Sequence, residues 1–249
     1  MVTRELSIRI AYLYPRYLNI YGNGGNILAL KKRCLWRGIS ADVVDIDIDE
    51  RIDISDFDII FVGGRLNQKL QYVAQKIIAY KNWFQEESNN GRVFFGVDGG
   101  YQLFGKYFTL ENKEKVEGLG ILDIYTEFGQ CNFVGNVFGN SSIIPSGKII
   151  GFENHNTLTY LETGTIPMGT VVNGFGNNGK DKTEGAVKNN VFGTYLHGAF
   201  LPKNPEFADF LITKALEQKY NNNIVLTPLD DEIEKKLQLL LCDEKFERR

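Results

Sequence analysis

Two glycine-flanked side chains, Asp98 and His197, are the first candidates for chemistry in the sequence. Asp98 lies in Phe95-Gly-Val-Asp-Gly-Gly-Tyr-Gln102, where an apolar strand-like run ends in glycines and a helix is predicted to begin at once. Glycines two residues before and two after the central side chain permit a sharp strand-to-helix turn, which lifts that side chain clear of a sheet beside helix amides. Such amides can stabilise a developing oxyanion. A tight turn capped by aspartate accounts for the segment equally well.

His197 ends a predicted strand at Val191–Leu196 and is followed by Gly198. In a mainly parallel sheet that position lies at the carboxyl edge, where functional sites collect. A lone histidine is also commonly a structural residue held by hydrogen bonds, and both interpretations stay open on this ground alone. The second histidine, His155, follows Gly151-Phe-Glu-Asn in a hairpin region, a setting that favours a structural role.

Two glycine turns, Gly22-Asn-Gly-Gly25 and Gly63-Gly64, each follow a predicted strand. Their backbone N–H groups are expected to face one crevice at the same edge of the sheet. Neither turn has the glycine spacing of a dinucleotide-binding motif or a P-loop, so the sequence gives weak support for phosphate binding. Simple turns account for each of them taken alone.

Strand-like and helix-like patterns alternate over the first hundred residues. Strands are predicted at Leu6–Tyr14, Ala41–Ile46, Phe57–Val62 and Arg92–Val97, and helices from the turn at 21–26 to about Gly38 and over Gln68–Glu87. This alternation implies right-handed crossovers and a mainly parallel sheet. Ligands of such a sheet bind outside the carboxyl ends of its strands.

The middle of the chain favours short strands broken by glycine and asparagine. They are predicted at Ile121–Tyr125, Asn132–Phe138, Ile149–Glu153 and Thr170–Asn173, as antiparallel hairpins along an edge of the main sheet. A helix is predicted over Pro205–Tyr220, and the charged tail Asp230–Arg249 is predicted to be a surface helix that frays. Because no linker is long enough to separate domains, we expect a single domain over residues 1–249.

The composition is that of a globular protein: 249 residues, 43% of them hydrophobic, with a formal net charge of −3. Nucleic acid is disfavoured as the main partner, because it would require a basic face. No apolar run approaches the ~20 residues of a membrane span, and the first residues lack the pattern of a secretory leader. The three cysteines have neither disulfide nor metal spacing, and two histidines exclude a histidine-rich metal site. We therefore expect a cytoplasmic protein with no metal and no other cofactor.

Seven stretches of the chain, taken together, are typical of one protein family. They are Leu18–Leu30, Ile60–Gly64, Gly99–Gly105, Val116–Leu122, Gly151–His155, Gly174–Asn178 and Gly193–Gly198, in the family's order. With them the chain resembles class I glutamine amidotransferases of the CobB/CobQ type, most closely the GatD subunits of lipid II isoglutaminyl synthase, as far as about Tyr220. The resemblance implies an α/β, flavodoxin-like fold: a mainly parallel sheet with helices on both faces and an antiparallel hairpin extension.

The resemblance also implies an activity. Such subunits hydrolyse glutamine, and the ammonia passes to a Mur-ligase-like partner, MurT, which uses ATP to amidate the D-glutamate of the lipid II stem peptide. The family's nucleophile is a cysteine at the elbow and its base is a histidine in a Tyr-Leu-His-Gly stretch; the matching positions are Asp98 and His197. The resemblance places oxyanion and substrate contacts at Gly64, Gly99, Gln102 and Asn132.

Asp98 in place of the cysteine changes the chemistry. A thiolate attacks an amide carbon and leaves a thioester that water hydrolyses. A carboxylate is a poor nucleophile towards an unactivated amide, and its product would be a high-energy anhydride. The carboxyl group is expected to stay ionised beside the helix amides and to favour a protonated His197 within ~2.6–3.2 Å, which removes the base. None of the chain's cysteines lies at an elbow: Cys34 is predicted in mid-helix, Cys131 in a hairpin turn and Cys242 in the tail.

Other positions depart from the family in the same direction. The acid of the first glycine turn is replaced by Asn23, and Gly63-Gly-Arg-Leu-Asn67 loses a glycine and an acid. The arginine that holds the glutamine carboxylate aligns at or beside Asn132, and a second arginine is replaced around Thr157-Leu158. Several losses at one site favour a degenerate glutaminase. Two alternatives stay open: an active glutaminase subunit whose cysteine was deliberately replaced by Asp98, and a small-molecule-binding or hydrolase domain that reuses the fold.

Overall fold

The computed structural model describes residues 5–20, 22–51, 53–64 and 68–242, and two sheets organise this part of the chain. The strands are β1 Ser7–Leu13, β2 Ser40–Ile46, β3 Ile59–Val62, β4 Val93–Val97, β5 Tyr107–Thr109, β6 Lys115–Glu117, β7 Ile124–Asn140, β8 Lys148–Leu161, β9 Gly169–Asn173, β10 Thr183–Glu184, β11 Ala186–Lys188 and β12 Val191–Thr194. The helices are α1 Gly24–Leu35, α2 Gln68–Ile77, α3 Lys81–Asn89, α4 Gly99–Phe104, α5 Phe200–Lys203, α6 Pro205–Tyr220 and α7 Glu232–Cys242.

The first sheet has the strand order β11-β12-β4-β3-β1-β2, and each neighbouring pair is parallel except β11 with β12. All residues of the central strands β3 and β4 are buried, as expected of a parallel sheet covered on both faces. Phe94 packs into the core on one face and Phe95 into the core on the other, because successive side chains of a strand point in opposite directions. The predicted mainly parallel α/β sheet is confirmed.

The parallel register brings three strand ends together at one edge of this sheet. Val97, at the end of β4, pairs with Thr194 at the end of β12, and Val62, at the end of β3, pairs with Gly96. The segments that follow these strands begin at Asp98, Tyr195 and Gly63. Both candidate residues, Asp98 and His197, therefore lie at the same edge of the sheet.

The second sheet is where the structure departs most from the sequence-based prediction. The strand expected at 132–138 and the last two residues of the strand expected at 121–125 belong to one strand, β7, which has 17 residues, and β8 has 14. They pair antiparallel, as expected, but in a separate sheet of order β10-β9-β7-β5-β6, with β8 also paired to β7, and not along an edge of the first sheet. The break-rich sequence of β7 is accommodated by a register shift between Phe128 and Phe133.

The two sheets meet beside His197. Its backbone N–H donates to the carbonyl of Phe152 in β8 at 2.8 Å, which forms an isolated antiparallel bridge between the sheets. Gly151 permits this close approach, since a Cβ built there would lie 2.6 Å from the Cβ of Leu196. The second sheet thus brings the side chains of β8 over the carboxyl edge of the first.

Most predicted helices are present, with one interruption. The helix expected over 68–87 is divided into α2 and α3 by a 3-10 turn at Ile78–Tyr80, whereas α6 has the predicted bounds. The short helix α5 was not predicted. The tail helix α7 reaches Cys242, and the remainder of the predicted tail lies outside the described residues. Within the described ranges, no helix has the length and apolar character needed to cross a membrane.

Candidate active site

Asp98 occupies a strained turn between β4 and α4. Its backbone has φ 52° and ψ −111°, a conformation that non-glycine residues rarely adopt. The turn is held from both sides, because the Asp98 N–H donates to the carbonyl of Thr194 at 2.8 Å and the Gln102 N–H donates to the Asp98 carbonyl at 3.1 Å. The sharp strand-to-helix elbow predicted from the glycine pattern is therefore present.

Three glycines leave space for this elbow. A Cβ built on Gly100 would lie 2.2 Å from the carbonyl oxygen of Val62, and one built on Gly96 would lie 2.9 Å from the carbonyl carbon of Gly100. A Cβ on Gly64 would lie 2.5 Å from the Asp98 Cβ and 2.6 Å from its Oδ2 atom. The Asp98 carboxyl group consequently packs directly against the backbone of Gly64, one of the positions for which an oxyanion contact is expected.

The Asp98 side chain is almost completely buried and incompletely hydrogen-bonded. It is 3% exposed, and its Oδ2 atom has no hydrogen-bond partner among the described residues. Burial raises the pKa of the Asp98 carboxyl group to about 6, against the opposing effects of the His155 imidazole charge and the Gly99 N–H. The group is thus mainly ionised at neutral pH, as expected. Because it is buried, water does not solvate the charge, and the ionised group lowers the stability of the fold.

His197 is buried and held in one tautomer. Its Nδ1 atom lies 2.8 Å from the carbonyl oxygen of Tyr195, and because a carbonyl can only accept, Nδ1 carries the proton. Burial lowers the pKa of His197 to about 4, so the ring is neutral at pH 7. The expectation of a protonated His197 was wrong, because desolvation of the imidazolium outweighs the opposing effects of the Tyr195 carbonyl and the Glu153 carboxylate. The direct contact expected between Asp98 and His197 is not made through Oδ2.

A buried chain of polar groups leads from Gln102 to the aromatic ring of Tyr195. Gln102 Nε2 donates to the Thr157 hydroxyl at 3.4 Å, which donates to the Tyr195 hydroxyl at 3.0 Å. The Tyr195 hydroxyl also lies 2.6 Å from that of Thr159. His155 stacks on the Tyr195 ring with the ring centroids 3.9 Å apart, and its Nδ1 donates to the Thr157 carbonyl at 3.0 Å. His155 therefore lies beside the site rather than apart from it.

Two buried glutamates lie beyond His155. Glu153 accepts the N–H groups of Phe175 and Gly176 at 2.7 and 2.9 Å, and its Oε2 atom lies 3.7 Å from His155 Nε2. Glu184 accepts the Thr194 hydroxyl at 2.6 Å and the Tyr195 N–H at 3.0 Å. Burial raises the pKa of Glu184 to about 7. No role was predicted for Glu184, because its neighbours in the sequence, Thr183 and Gly185, do not indicate that this side chain is completely buried.

Most of the chain matches one protein family. Residues 9–205 match the model of the CobB/CobQ-like glutamine amidotransferase domain. The chain belongs to this family.

Two relatives are similar to the chain along most of its length, and a solved structure is similar to it in fold. The chain is 39% identical to the lipid II isoglutaminyl synthase (glutamine-hydrolyzing) subunit GatD of Staphylococcus aureus, over 91% of each chain. It is 34% identical to the subunit of the same name from Streptococcus pneumoniae, over 90% of this chain and 86% of that one. Its fold is similar to a chain in the structure of PurLQS from Thermotoga maritima, with a TM-score of 0.56 and 16% identity over 86% of this chain and 99% of that chain.

This member of the CobB/CobQ-like family carries no arginine at the two places where the family resemblance predicts one. Asn132 is exposed and lies in the irregular part of β7, where residues 129–132 stand opposite the single residue Asn156. Cys131 lies in the same segment, so its expected position in a hairpin turn was wrong. Thr157 is buried in the hydroxyl chain described above.

Two further departures of the chain from the family lie in the glycine turns. Asn23 is buried and donates its amide to the Ile20 carbonyl at 2.6 Å, and its Oδ1 atom has no hydrogen-bond partner among the described residues. The departures at 65–67 lie outside the described residues. Within the described ranges, no three histidine, cysteine or acidic side chains are grouped so as to hold a metal ion.

A cation that the sequence analysis missed lies on α5, next to the site. Lys203 Nζ lies 3.5 Å from the carbonyl oxygen of His197, and burial lowers the pKa of this lysine. Its position depends on the turn at Gly198 and Ala199, both of which have positive φ. The only available signal was its place six residues after the histidine, which is too weak to select one lysine among many.

Proposed function

We propose that this chain is the GatD-like subunit of a complex that amidates lipid II, in the cytoplasm, together with an ATP-dependent ligase of the Mur family, MurT, and that its own site no longer hydrolyses glutamine. The ligase would then take its nitrogen from free ammonia. Similarity along nine-tenths of the chain to two GatD subunits supports the first part. The observation that carries the second part is Asp98 at the elbow, where the family is expected to have cysteine.

The proposed roles follow from position. Asp98 stands at the place of the nucleophile and His197 at the place of the base. The N–H groups of Gly64 and Gly99 stand where an oxyanion would be bound, and Gln102 and Asn132 stand where substrate would be held. The scaffold of an amidotransferase site is thus retained around a group that cannot start the reaction.

The chemistry of the elbow supports loss of hydrolysis. His197 is neutral and could accept a proton, but Asp98 has none to give when ionised and forms no stable acyl product with an amide. The carboxyl group also fills the space against Gly64 in which the reaction's oxyanion would lie. The exposed amide of Asn132 provides no charge for a glutamine carboxylate.

We expect that Asp98→Cys alone does not restore hydrolysis, because the site also lacks the carboxylate-binding arginine. The measurement is ammonia release from glutamine by the unaltered chain, Asp98→Cys and Asp98→Ser, each alone and with a co-expressed MurT-like ligase. Asp98→Ser is the matched control, since serine has the size of cysteine without its thiol. We expect all three to give the same background rate.

The same assay separates the alternatives. Strong ammonia release by Asp98→Cys, well above that of Asp98→Ser, would show an intact site in which only the cysteine had been exchanged. Recovery only in the double variant Asp98→Cys, Asn132→Arg would identify the missing cation as the second defect. A small-molecule-binding or hydrolase domain would instead bind a ligand unrelated to glutamine at Asp98 and His197, and would not associate with the ligase.

A further inference from the structure

The Asp98 carboxyl group is buried, and one of its oxygens accepts no hydrogen bond from the described residues. Its Oδ2 atom is buried and has no partner among the described residues, and the side chain is 3% exposed. A buried unpaired oxygen of this kind calls for an explanation, and an ion or a water is the usual one. A side chain at position 64 could not donate the missing hydrogen bond, because even a Cβ atom there would lie 2.6 Å from Oδ2.

The electrostatic surroundings favour a cation over a neutral donor. Three buried carboxyl groups, those of Asp98, Glu153 and Glu184, lie within electrostatic range of one imidazole, that of His155. The carboxyl groups thus outnumber the one imidazole. Burial of uncompensated charge is costly, so this group gains either by taking up protons or by binding a small cation.

The chemistry of the surroundings narrows the choice of cation. Among the described residues, the Oε2 atom of Glu184 is a second fully buried acceptor without a hydrogen-bond partner. The rings of His155 and Tyr195 stack on each other, and both side chains are within electrostatic range of Asp98. Hydrogen-bond acceptors next to aromatic faces suit a small polyatomic cation with N–H donors.

We propose that the buried Asp98 carboxylate binds an ammonium ion. This rests on the proposed function, in which the ligase uses free ammonia and the subunit that once produced it at the elbow now concentrates it there. The ammonium N–H groups donate to Asp98 Oδ2. Binding changes no covalent bond.

The test uses the full chain, purified without ammonium, and compares its thermal unfolding in ammonium chloride and potassium chloride at equal ionic strength near neutral pH. We expect a saturable rise in the unfolding temperature with ammonium over potassium, because a ligand that binds only the folded state stabilises it. Saturable broadening of the 15N-ammonium resonance by the chain is the direct measurement. Asp98→Asn is expected to abolish both effects.

Asp58→Asn is the matched control. Asp58 is also buried, but it is paired with Lys219 Nζ at 2.9 Å and accepts the Arg9 N–H at 2.7 Å, so its replacement should leave the ammonium effect intact. Equal stabilisation by both salts, or an ammonium effect that survives in Asp98→Asn, would overturn the proposal. With the ligase present, Asp98→Asn should raise the KM for ammonium about tenfold or more, as expected for loss of a charge-assisted hydrogen bond.

The two proposals fail in different ways. The unfolding and resonance measurements need neither ligase nor glutamine, so they decide the ammonium site even if no ligase partner exists. Glutamine hydrolysis by the unaltered chain would refute the proposed function, and the results of the unfolding and resonance measurements would not depend on it. A complex that amidates lipid II with ammonia, but whose subunit shows no ammonium-specific effect, would refute the ammonium site alone.

Discussion

Asp98→Asn is expected to raise the free energy of unfolding by about 3 kcal/mol at neutral pH, when measured in sodium buffers free of ammonium. The reason is the cost of burying an ionised carboxyl group whose Oδ2 atom accepts no hydrogen bond from the described residues. Asparagine has nearly the same shape and carries no charge, so the substitution removes this cost while retaining the volume of the side chain. The measurement is chemical denaturation of both chains across a range of pH.

The sign of the pH dependence follows from the pKa of Asp98. Burial raises that pKa from 3.8 to about 6 in the folded chain, so the folded state holds the proton more tightly than the unfolded state. Below about pH 4 the group is protonated in both states, and the two chains should be about equally stable. Between there and pH 6 the unaltered chain loses stability relative to the variant, and above pH 6 the difference is constant.

Asp58→Asn shows what an adequately paired buried aspartate does. The Asp58 carboxylate is bonded to Lys219 and to the Arg9 N–H, so its replacement breaks an ion pair and should lower stability by about 1–3 kcal/mol. Opposite signs for the two substitutions are the expected result. A loss of stability in both variants would contradict the view that Asp98 is an uncompensated charge.

A residue that costs folding energy at neutral pH is characteristic of a functional site. Asp98 combines that cost with a positive φ that aspartate adopts only under constraint. The scaffold explains the strained backbone, but it does not explain a buried carboxyl group whose charge lowers the stability of the fold. That charge favours a bound ligand at Asp98 over an inert remnant.

The sequence was sufficient for the parts of the site that depend on local geometry. The glycines at 96 and 100 predicted the elbow, and the apolar runs predicted that the elbow and His197 lie at one edge of a parallel sheet. These predictions succeeded because strand ends and tight turns are set by residues adjacent in the chain.

The rest of the site could not be predicted because it depends on contacts between distant segments. His155 and Glu153 are brought to the first sheet by contacts such as the bridge between Phe152 and His197, which joins two sheets that the sequence suggested were one. The neutral state of His197 likewise depends on its burial, and neither is visible in the residue types around it. Residue spacing therefore placed Asp98 and His197 at one edge of the sheet, as observed, but predicted the wrong protonation state for His197.

Gly100→Ala is expected to destabilise the chain by about 3 kcal/mol or more, although alanine is the better helix former. A Cβ at position 100 would lie 2.2 Å from the carbonyl oxygen of Val62 and 2.9 Å from that of Gly63. Both atoms belong to backbone at the end of a buried strand, so neither can move without separating β3 from α4. The displaced helix would carry the Asp98 elbow with it, and the ammonium-specific stabilisation should disappear as well.

Gly24→Ala provides the matched control in the first turn of α1. There the nearest atoms to a new Cβ are the side-chain amide atoms of Asn19, at 3.9 and 4.0 Å, so nothing has to move. We expect an unchanged stability or a gain of about 0.4–1 kcal/mol, because alanine restricts the unfolded chain. The unfolding free energies of the two variants distinguish a steric requirement at Gly100 from a general effect of glycine. Equal values for Gly24→Ala and Gly100→Ala would mean that the close approach of α4 to β3 does not hold the elbow in its strained conformation.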